Sequence, residues 1–395
     1  MTILLEKELL TFKLTEEQEL LQKTIREVAN ENFLEKAREI DKSHRFPREN
    51  FELLAKLEMT GLTLPEAFGG GGMNYISYAI VIEELARVCA TTSVILAVHL
   101  SLCSGTIAKF GSTFLKEKYL RKLAKGEYLG AFCLSEPGNG SDAQAMLTRA
   151  YDKGDHFILN GTKAWITNGS QANVYLVFAQ TNPELKHKGV TTFIVEKEMP
   201  GVSFGKLEDK LGIRASATCQ MRLDNVVIPK ENVLGNIGEG FKIAMATLDS
   251  GRISIAAQAL GIAQASYDLA SSYAKTREAF GKKIVNFQAI QFMLVELATE
   301  IEVGRLLIYQ AANMYDKGLK ITRQGAEAKL FCSELASKAA NKAVQILGGY
   351  GYTTEYDAER YLRDAKITEI YEGTSEIQRI VIAKNIIEDI AGRDV

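Results

Sequence analysis

The sequence predicts an α+β multidomain protein with a helical N-terminal domain, a middle antiparallel β-sandwich or barrel, and a C-terminal antiparallel helix bundle. Three observations support this order. The chain has 395 residues, too many for one ordinary core. Its apolar residues recur at the helical period of 3.6 near both ends, and at a period of two between about residues 126 and 234. We therefore expect domains at residues 1–125, 126–235 and 236–395.

Start signals divide the N-terminal part into helices. Thr15 to Gln18 is typical of a helix start, and Pro47 begins a second helix. A mostly apolar stretch runs from Ile76 to Phe110 and is hydrophobic on nearly all sides around residues 93–100. This pattern predicts a helix that is buried on most faces.

Short segments with a period of two fill the middle part. His156–Leu159, the pair Asn160-Gly161 and Thr162–Thr167 together predict a β-hairpin, because Asn-Gly favours a type I′ turn. Further strands are predicted at 174–179, 190–195 and 221–228. Because no helical segment separates them, an antiparallel sheet is favoured over a βαβ fold, and a Rossmann dinucleotide site is disfavoured.

The chain returns to helical patterning after Gly238. Long segments run from about 241 to 274, 287 to 315 and 323 to 347, and Gly348-Gly349 is a stop signal. A last helix follows Ser375. Long helices with short connections predict an antiparallel bundle.

Composition and charge exclude several classes of protein. The formal net charge of −2 argues against a general nucleic-acid binder. No uninterrupted apolar run reaches the ~20 residues of a membrane span, and Met1–Glu17 lacks the layout of a signal peptide. The five scattered cysteines are interpreted as reduced thiols of a cytoplasmic protein. The four histidines lack metal-ligand spacing, so we expect no metal, and redox chemistry would need an organic cofactor.

Glu372 is the candidate catalytic residue. It lies between an apolar, aromatic run and Gly373, just before a helix start at which Ser375 and Gln378 have capping-box spacing. Ile377, Ile380 and Val381 have the spacing of a core-facing stripe on that helix. Burial would raise the pKa of the carboxyl group, as proton abstraction from carbon requires, whereas the helix N-terminus would lower it. Taken by itself, an exposed loop carboxylate is the commoner interpretation of such a residue.

Two other stretches have features of a ligand site. Residues 132–142 form a strand end followed by a loop rich in Pro and Gly, with hydroxyl and backbone N–H donors. Trp165, the only tryptophan, and Thr167 would point to the same face of a strand, where an indole and a hydroxyl could meet one aromatic ligand. Each stretch alone also fits an ordinary turn or a core tryptophan.

These three stretches, in this order on a helical–β–helical chain, resemble the acyl-CoA dehydrogenase family, specifically its short-chain, butyryl-CoA dehydrogenase-like branch. Three further segments match: Asp249–Arg252, Arg277–Gly281 and Gln345–Gly351. The resemblance covers nearly the whole chain. It implies FAD as the cofactor, an acyl-CoA as the substrate and an electron-transferring flavoprotein as the electron acceptor. It also implies a homo-oligomer, with a homodimer as the minimum assembly and a homotetramer, a dimer of dimers, as the usual one.

The resemblance also implies the roles of individual residues. The FAD-binding positions are Phe132, Leu134, Ser135, Gly140, Ser141, Trp165, Ile166, Thr167, Arg277, Phe280, Gln288, Gln345, Ile346, Gly348, Gly349, Thr374 and Glu376. Those from Arg277 to Gly349 would meet the adenosine diphosphate half across a subunit boundary, where an arginine suits a pyrophosphate. The positions that line the acyl-CoA channel are Ser141, Asp249, Arg252, Tyr371 and Gly373.

The resemblance further implies that Glu372 takes the α-proton of the thioester and that the flavin accepts the β-hydrogen as hydride, giving a trans-2-enoyl-CoA. Some relatives carry the base in a helix at the position of Gly251. A glycine there and a carboxylate at Glu372 support Glu372 as the base. The alternatives are an acyl-CoA oxidase that uses oxygen and a non-catalytic acyl-CoA-binding subunit; nitroalkane oxidation is disfavoured by Glu rather than Asp.

Overall fold

The computed structural model describes residues 13–391, and its N-terminal part is helical. The first 12 residues lie outside the described range. They include most of Met1–Glu17, the segment that was interpreted as lacking the layout of a signal peptide. The helices are α1 (Glu16–Asn32), α2 (Leu34–Ser43), α3 (Arg48–Lys56), α4 (Tyr75–Val88), α5 (Ala90–Ala97), a π-helix (Val98–Ser104), α6 (Gly105–Phe110) and α7 (Thr113–Ala124). Thr15 and Gln18 form the capping box of α1, and Pro47 directly precedes α3, which confirms both predicted starts.

The apolar stretch predicted as one buried helix is interrupted. Cys89 has an extended backbone, with φ −146°, and separates α4 from a continuous helical segment, Ala90–Phe110. That segment of 21 residues is long and apolar enough to cross a membrane by length and composition, although Thr, Ser, His and Lys residues interrupt its apolar run. However, 78% of its most apolar window is buried inside this protein. The segment therefore packs as a core helix.

An eight-stranded sheet forms the middle of the chain. Its strands are β1 (Gly130–Cys133), β2 (Arg149–Asp152), β3 (His156–Ile166), β4 (Val174–Gln180), β5 (Val190–Glu196), β6 (Val202–Leu207), β7 (Cys219–Pro229) and β8 (Val233–Leu234). Their order is β6-β7-β3-β2-β4-β5-β8, and β1 pairs with β4. Most pairs are antiparallel, as predicted, but β1 and β2 both pair with β4 in parallel.

The predicted hairpin at Asn160-Gly161 was wrong. β3 runs straight through this pair, and its register against β7 shifts between Leu159 and Gly161, which marks a β-bulge. Gly161 has φ +154°, and a Cβ there would come within 2.5 Å of Thr148 Oγ1. The glycine therefore permits close packing of two strands, and the real chain reversals lie elsewhere.

β4 connects the sheet to the helices. All seven of its residues are buried, as expected for a strand covered on both faces. Alternate side chains enter different cores: Val174, Leu176 and Phe178 pack with the helical core, whereas Tyr175 and Val177 pack inside the sheet domain. This arrangement seats one face of the sheet against the helices.

The C-terminal part contains α8 (Gly240–Thr276), a two-stranded hairpin of β9 (Glu278–Ala279) and β10 (Lys282–Lys283), α9 (Gln288–Asp316), α10 (Thr322–Leu347), α11 (Ala358–Thr368) and α12 (Ser375–Ala391). Three of these helices match the predicted segments within a few residues, whereas α11 was not predicted. Helix α8 is the centre of the bundle, because it packs against α4, α9, α10 and α11. The turn between α11 and α12 carries Glu372.

Candidate active site

Glu372 lies in a strained turn. Its backbone has φ +52°, a left-handed conformation that is uncommon for a residue with a side chain, and Gly373 follows with φ +96°. Such strain persists only where the surrounding structure imposes it, and it concentrates at functional sites. The turn therefore has the conformation of a site residue rather than of a relaxed surface loop.

Side chains from two helices hold this turn. Lys329 on α10 donates from Nζ to the Gly373 carbonyl oxygen at 2.7 Å. Gln378 on α12 donates from Nε2 to the carbonyl oxygens of Glu372 and Gly373, at 3.1 and 2.9 Å. These bonds satisfy carbonyl groups that the turn would otherwise leave without a donor.

The predicted capping of α12 was wrong in detail. Thr374, not Ser375, caps the helix, since its Oγ1 accepts a hydrogen bond from the Ile377 N–H at 3.3 Å. Gln378 does not close a capping box but binds the turn. The predicted apolar stripe also fails at Ile380, which is 62% exposed.

The Glu372 carboxylate packs against Gly251 of α8. A Cβ on Gly251 would overlap Glu372 Oε2 and would come within 2.8 Å of Leu102 Cδ2, in the π-helix. The carboxylate thus fills the space that a side chain at position 251 would need. Oε2 is inaccessible to solvent and accepts no hydrogen bond from residues 13–391.

Burial raises the pKa of Glu372 to about 7. The positive charges of Lys329 and Arg252 oppose this effect but do not cancel it. A carboxylate with a pKa near neutrality and a free oxygen is suited to take a proton from a weak acid. The sequence left open the direction in which the pKa of Glu372 would move, and burial raises it.

Four of the five residues predicted to line the acyl-CoA channel lie on α8 or in the turn of Glu372, namely Asp249, Arg252, Tyr371 and Gly373. Arg252 is buried and donates from Nη1 to Asp249 Oδ1 at 2.7 Å, and Asp249 Oδ2 accepts from Thr322 Oγ1 at 2.7 Å. Tyr371 donates its hydroxyl to Gln258. Arg252 is therefore an internal charge rather than a surface one.

A second group of predicted residues meets at one end of the sheet. The Ala164 N–H donates to the Ser135 carbonyl at 2.9 Å, which joins the loop after β1 to the end of β3. Beneath it lies a buried ion pair, Lys163 Nζ to Glu136 Oε1 at 2.9 Å. Lys163 also donates to the Leu134 carbonyl, at 3.1 Å. These contacts fix the loop relative to the strand.

Trp165 does not share a strand face with Thr167. It has φ +61°, at a point where the pairing of β3 with β7 is irregular, and Thr167 follows the end of the strand. The regular alternation that placed both on one face therefore stops here. The indole is 62% exposed, while Ile166 is buried in the core of the sheet domain and could offer a ligand only its backbone.

A third group lines a cleft of about 490 Å³ at the end of α8 and α10. Arg277, Ile346, Gly348 and Gly349 all face it, and the Arg277 guanidinium lies 5.9 Å from the ring centre of Tyr350. Glu372 does not line this cleft. The cleft is therefore a separate part of the surface from the carboxylate site.

The remaining predicted residues do not line the cleft beside Arg277. Phe280, on the β9–β10 turn, is 96% exposed. Gln288, Gln345, Glu376, Gly140 and Ser141 are also exposed, and Phe132, Thr167 and Thr374 are partly buried. Phe132 packs against Phe178 with ring centres 4.9 Å apart.

Residues that shape the carboxylate site were also missed. They are Lys329, Gln378, Gln258, Leu102 and Tyr78. One signal was visible for Lys329, which is a single charge within the apolar run Ala328–Cys332. Gln378 carried only a capping-box signal, which pointed to a different role, and the other three have no local signal, because their roles arise only from packing.

The chain was compared with known proteins. The N-terminal, middle and C-terminal domain families of acyl-CoA dehydrogenase match residues 15–127, 131–226 and 238–387. The mitochondrial short-chain specific acyl-CoA dehydrogenase of Rattus norvegicus is 48% identical over 375 residues, which are 95% of this chain and 91% of the relative. The three domain families follow one another in the order of the three structural regions described above.

Two solved structures share the fold. One is described as butyryl-CoA dehydrogenase from Megasphaera elsdenii, with a TM-score of 0.94, 42% identity, and coverage of 96% of this chain and 100% of the other. The second is described as "Electron transferring flavoprotein of Acidaminococcus fermentans: Towards a mechanism of flavin-based electron bifurcation", with a TM-score of 0.94, 45% identity, and coverage of 95% and 99%. The chain belongs to the acyl-CoA dehydrogenase family.

Proposed function

We propose that this chain catalyses the FAD-dependent α,β-dehydrogenation of a short- to medium-chain acyl-CoA to the trans-2-enoyl-CoA, with Glu372 as the base. The observation that carries the proposal is the buried Glu372 carboxylate, whose Oε2 accepts no hydrogen bond from residues 13–391 and whose pKa is raised to about 7. The likeness to short-chain and butyryl-type enzymes supports the chain-length class.

The residues of this chain fit FAD. Bound FAD would supply the acceptor for the substrate β-hydrogen. The exposed indole of Trp165 and the loop that carries Ser135 offer a stacking surface and hydrogen-bond groups for a flat heterocycle. Gly348 and Gly349 have open space around them beside Arg277, so a pyrophosphate can approach the backbone closely and accept hydrogen bonds from the exposed Arg277 guanidinium.

The chain's own chemistry centres on two groups of Glu372. Its carboxylate takes the α-proton and holds it at Oε2, where burial favours the protonated form. Its backbone N–H finds no acceptor within residues 13–391, so it is available to donate to a thioester oxygen as negative charge develops there. One residue would thus supply both the base and a donor to the enolate.

The remaining predicted substrate residues would define the channel. The buried Arg252 pairs with the partly exposed Asp249 beside the base, while Tyr371 and Gly373 flank the base in the turn. Ser141, in the exposed loop after β1, would contact the substrate from the sheet side. We assign these as substrate-binding residues.

We also propose a homo-oligomer that passes electrons to an electron-transferring flavoprotein in the cytoplasm. The 96% exposure of Phe280 beside the Arg277 cleft supports a site completed by a second subunit. The likeness to the chain described with the electron transferring flavoprotein of Acidaminococcus fermentans supports the acceptor. Five free, buried cysteines fit a reducing compartment.

An anaerobic titration of the purified protein with C4 to C16 acyl-CoAs, followed at the flavin absorbance, tests the proposal. We expect a yellow protein whose absorbance bleaches most readily with the shorter acyl chains and returns only slowly in air. Rapid reoxidation by oxygen would favour an oxidase. A colourless protein that binds acyl-CoA without change would favour the non-catalytic subunit and contradict the proposal.

A further inference from the structure

Lys329 is a buried lysine that the proposed chemistry does not yet use. It lies on α10 with 0% of its surface exposed, although lysine is almost never fully buried without a partner. Its Nζ donates to the Gly373 carbonyl at 2.7 Å, and within the described chain it forms no salt bridge. A buried ammonium group without a directly bonded carboxylate is costly, so Lys329 is a candidate for a functional role.

The contact fixes the residue next to the base. Gly373 and Glu372 both have positive φ angles, and the Gly373 carbonyl receives two donors, Lys329 Nζ and Gln378 Nε2. Gln378 comes from α12 and Lys329 from α10, so the turn is held from two directions. If Lys329 is replaced, Gln378 still donates to the Gly373 carbonyl. The effect of the lost charge can therefore be distinguished from collapse of the turn.

The charge of Lys329 also acts on the base. Burial lowers the pKa of Lys329 to about 8, and the Glu372 carboxylate raises it again in part. In return, Lys329 is the strongest influence that lowers the pKa of Glu372 against the effect of burial. The other charged or titratable groups around the pair are Asp249 and Arg252 on α8, Tyr78 on α4, Tyr371 in the turn, Glu369 after α11 and Glu376 on α12.

We propose that Lys329 is a positioning residue for the base: its ammonium group fixes the Gly373 carbonyl and stabilises the neighbouring Glu372 carboxylate in its charged form at neutral pH. The catalytic consequence of this role rests on the proposed function. The effect of Lys329 on the Glu372 carboxylate does not. The buried ammonium group offsets part of the cost of the buried base, so the base is available at neutral pH although it lies out of water.

Lys329→Met removes the charge and the donor while keeping a similar length. The matched control is Lys338→Met on the same helix, because Lys338 is partly exposed and pairs with Glu300 at 2.5 Å, away from the turn. We expect the acidic limb of kcat/KM against pH to move upward by about one pH unit in Lys329→Met, which lowers kcat/KM about fivefold at pH 7 and about tenfold below pH 6, and largely restores it above pH 8.5. Lys338→Met should retain the wild-type profile.

A second readout does not depend on turnover. Difference infrared spectroscopy of the holoenzyme, with Glu372→Gln as the blank, follows protonation of this one carboxyl group. Its titration should also move upward in Lys329→Met. If the proposed function fails, acyl-CoA will not bleach the wild-type protein at any pH, yet the carboxyl titration still reports on Lys329.

Two results would overturn the proposal. One is an unchanged carboxyl titration in Lys329→Met; the other is a loss of activity that is equal at all pH values, as a merely structural residue would give. If Lys329→Met does not fold, Lys329→Gln provides the same test, because it is neutral but keeps a donor. Lys329→Arg, which keeps the charge, should retain the wild-type midpoint in both measurements.

Discussion

Replacing Gly251 by alanine tests the geometry of the base directly. The added Cβ would overlap Glu372 Oε2, which must then retreat from α8. Reaching an ordinary van der Waals distance requires a movement of about 1 Å, and a misplacement of that size can cost about 100-fold in rate. The atoms that must move, in Glu372 and Leu102, are the ends of flexible side chains. Stability should therefore change little.

Gly261→Ala is the matched control, because Gly261 lies on the same helix ten residues further on. Its added Cβ would overlap the backbone carbonyl oxygen of Glu83, which cannot rotate away. This variant should lose up to about 3 kcal/mol of stability through overpacking but keep its rate per folded molecule. Thermal unfolding, flavin content and single-turnover flavin reduction by butyryl-CoA measure both effects.

The two variants should thus differ in the property that they lose. Gly251→Ala is expected to lose rate at nearly wild-type stability, and Gly261→Ala to lose stability at a wild-type rate. Gly251→Ala with full flavin content and a wild-type reduction rate would show that the Glu372 carboxylate does not act from its position beside α8.

Two further predictions concern the cofactor regions. Arg277→Ala should lower the flavin-to-protein ratio after gel filtration, whereas Lys275→Ala, which removes a neighbouring exposed charge, should not; equal ratios would remove Arg277 from the site. Lys163→Met should destabilise the protein by about 3–5 kcal/mol in denaturant unfolding, because it leaves the Glu136 carboxylate buried without its partner. Adding Glu136→Gln should recover part of that loss, and strict additivity of the two effects would argue against a coupled pair.

The fold was largely predictable because its signals are local. Thr15 and Gln18 cap α1 through contacts three residues apart, and Gly348 directly follows the last residue of α10. Long periodic helices and buried strands are specified by their own sequence. Glu372 could be identified as a candidate only because several motifs resembled one family in the same order.

The errors arose where packing overrides a local signal. Asn160-Gly161 is a good hairpin turn in isolation, but the neighbouring strands pair continuously across it, and Thr148 fills the space beside Gly161. The spacing of Ser375 and Gln378 fits a capping box, yet the Glu372 and Gly373 carbonyls need the Gln378 amide. No local pattern shows which distant group requires a donor.

Lys329 illustrates the same limit for the site. It is 43 residues before Glu372 in the sequence, and only the packing of α10 against the turn brings their charges together. The pKa of Glu372 likewise depends on burial by elements from three parts of the chain. Chemistry that depends on such distant contacts can be read from the structure but not from spacing.

The identity of the base is tested most directly by anaerobic titration of flavin-loaded Glu372→Gln with butyryl-CoA. Glutamine keeps the shape of the side chain but cannot take the α-proton. We predict a yellow protein that binds the substrate and does not bleach, with reduction slowed by at least about 10²- to 10⁴-fold. Bleaching at the wild-type rate would contradict the assignment of Glu372 as the base.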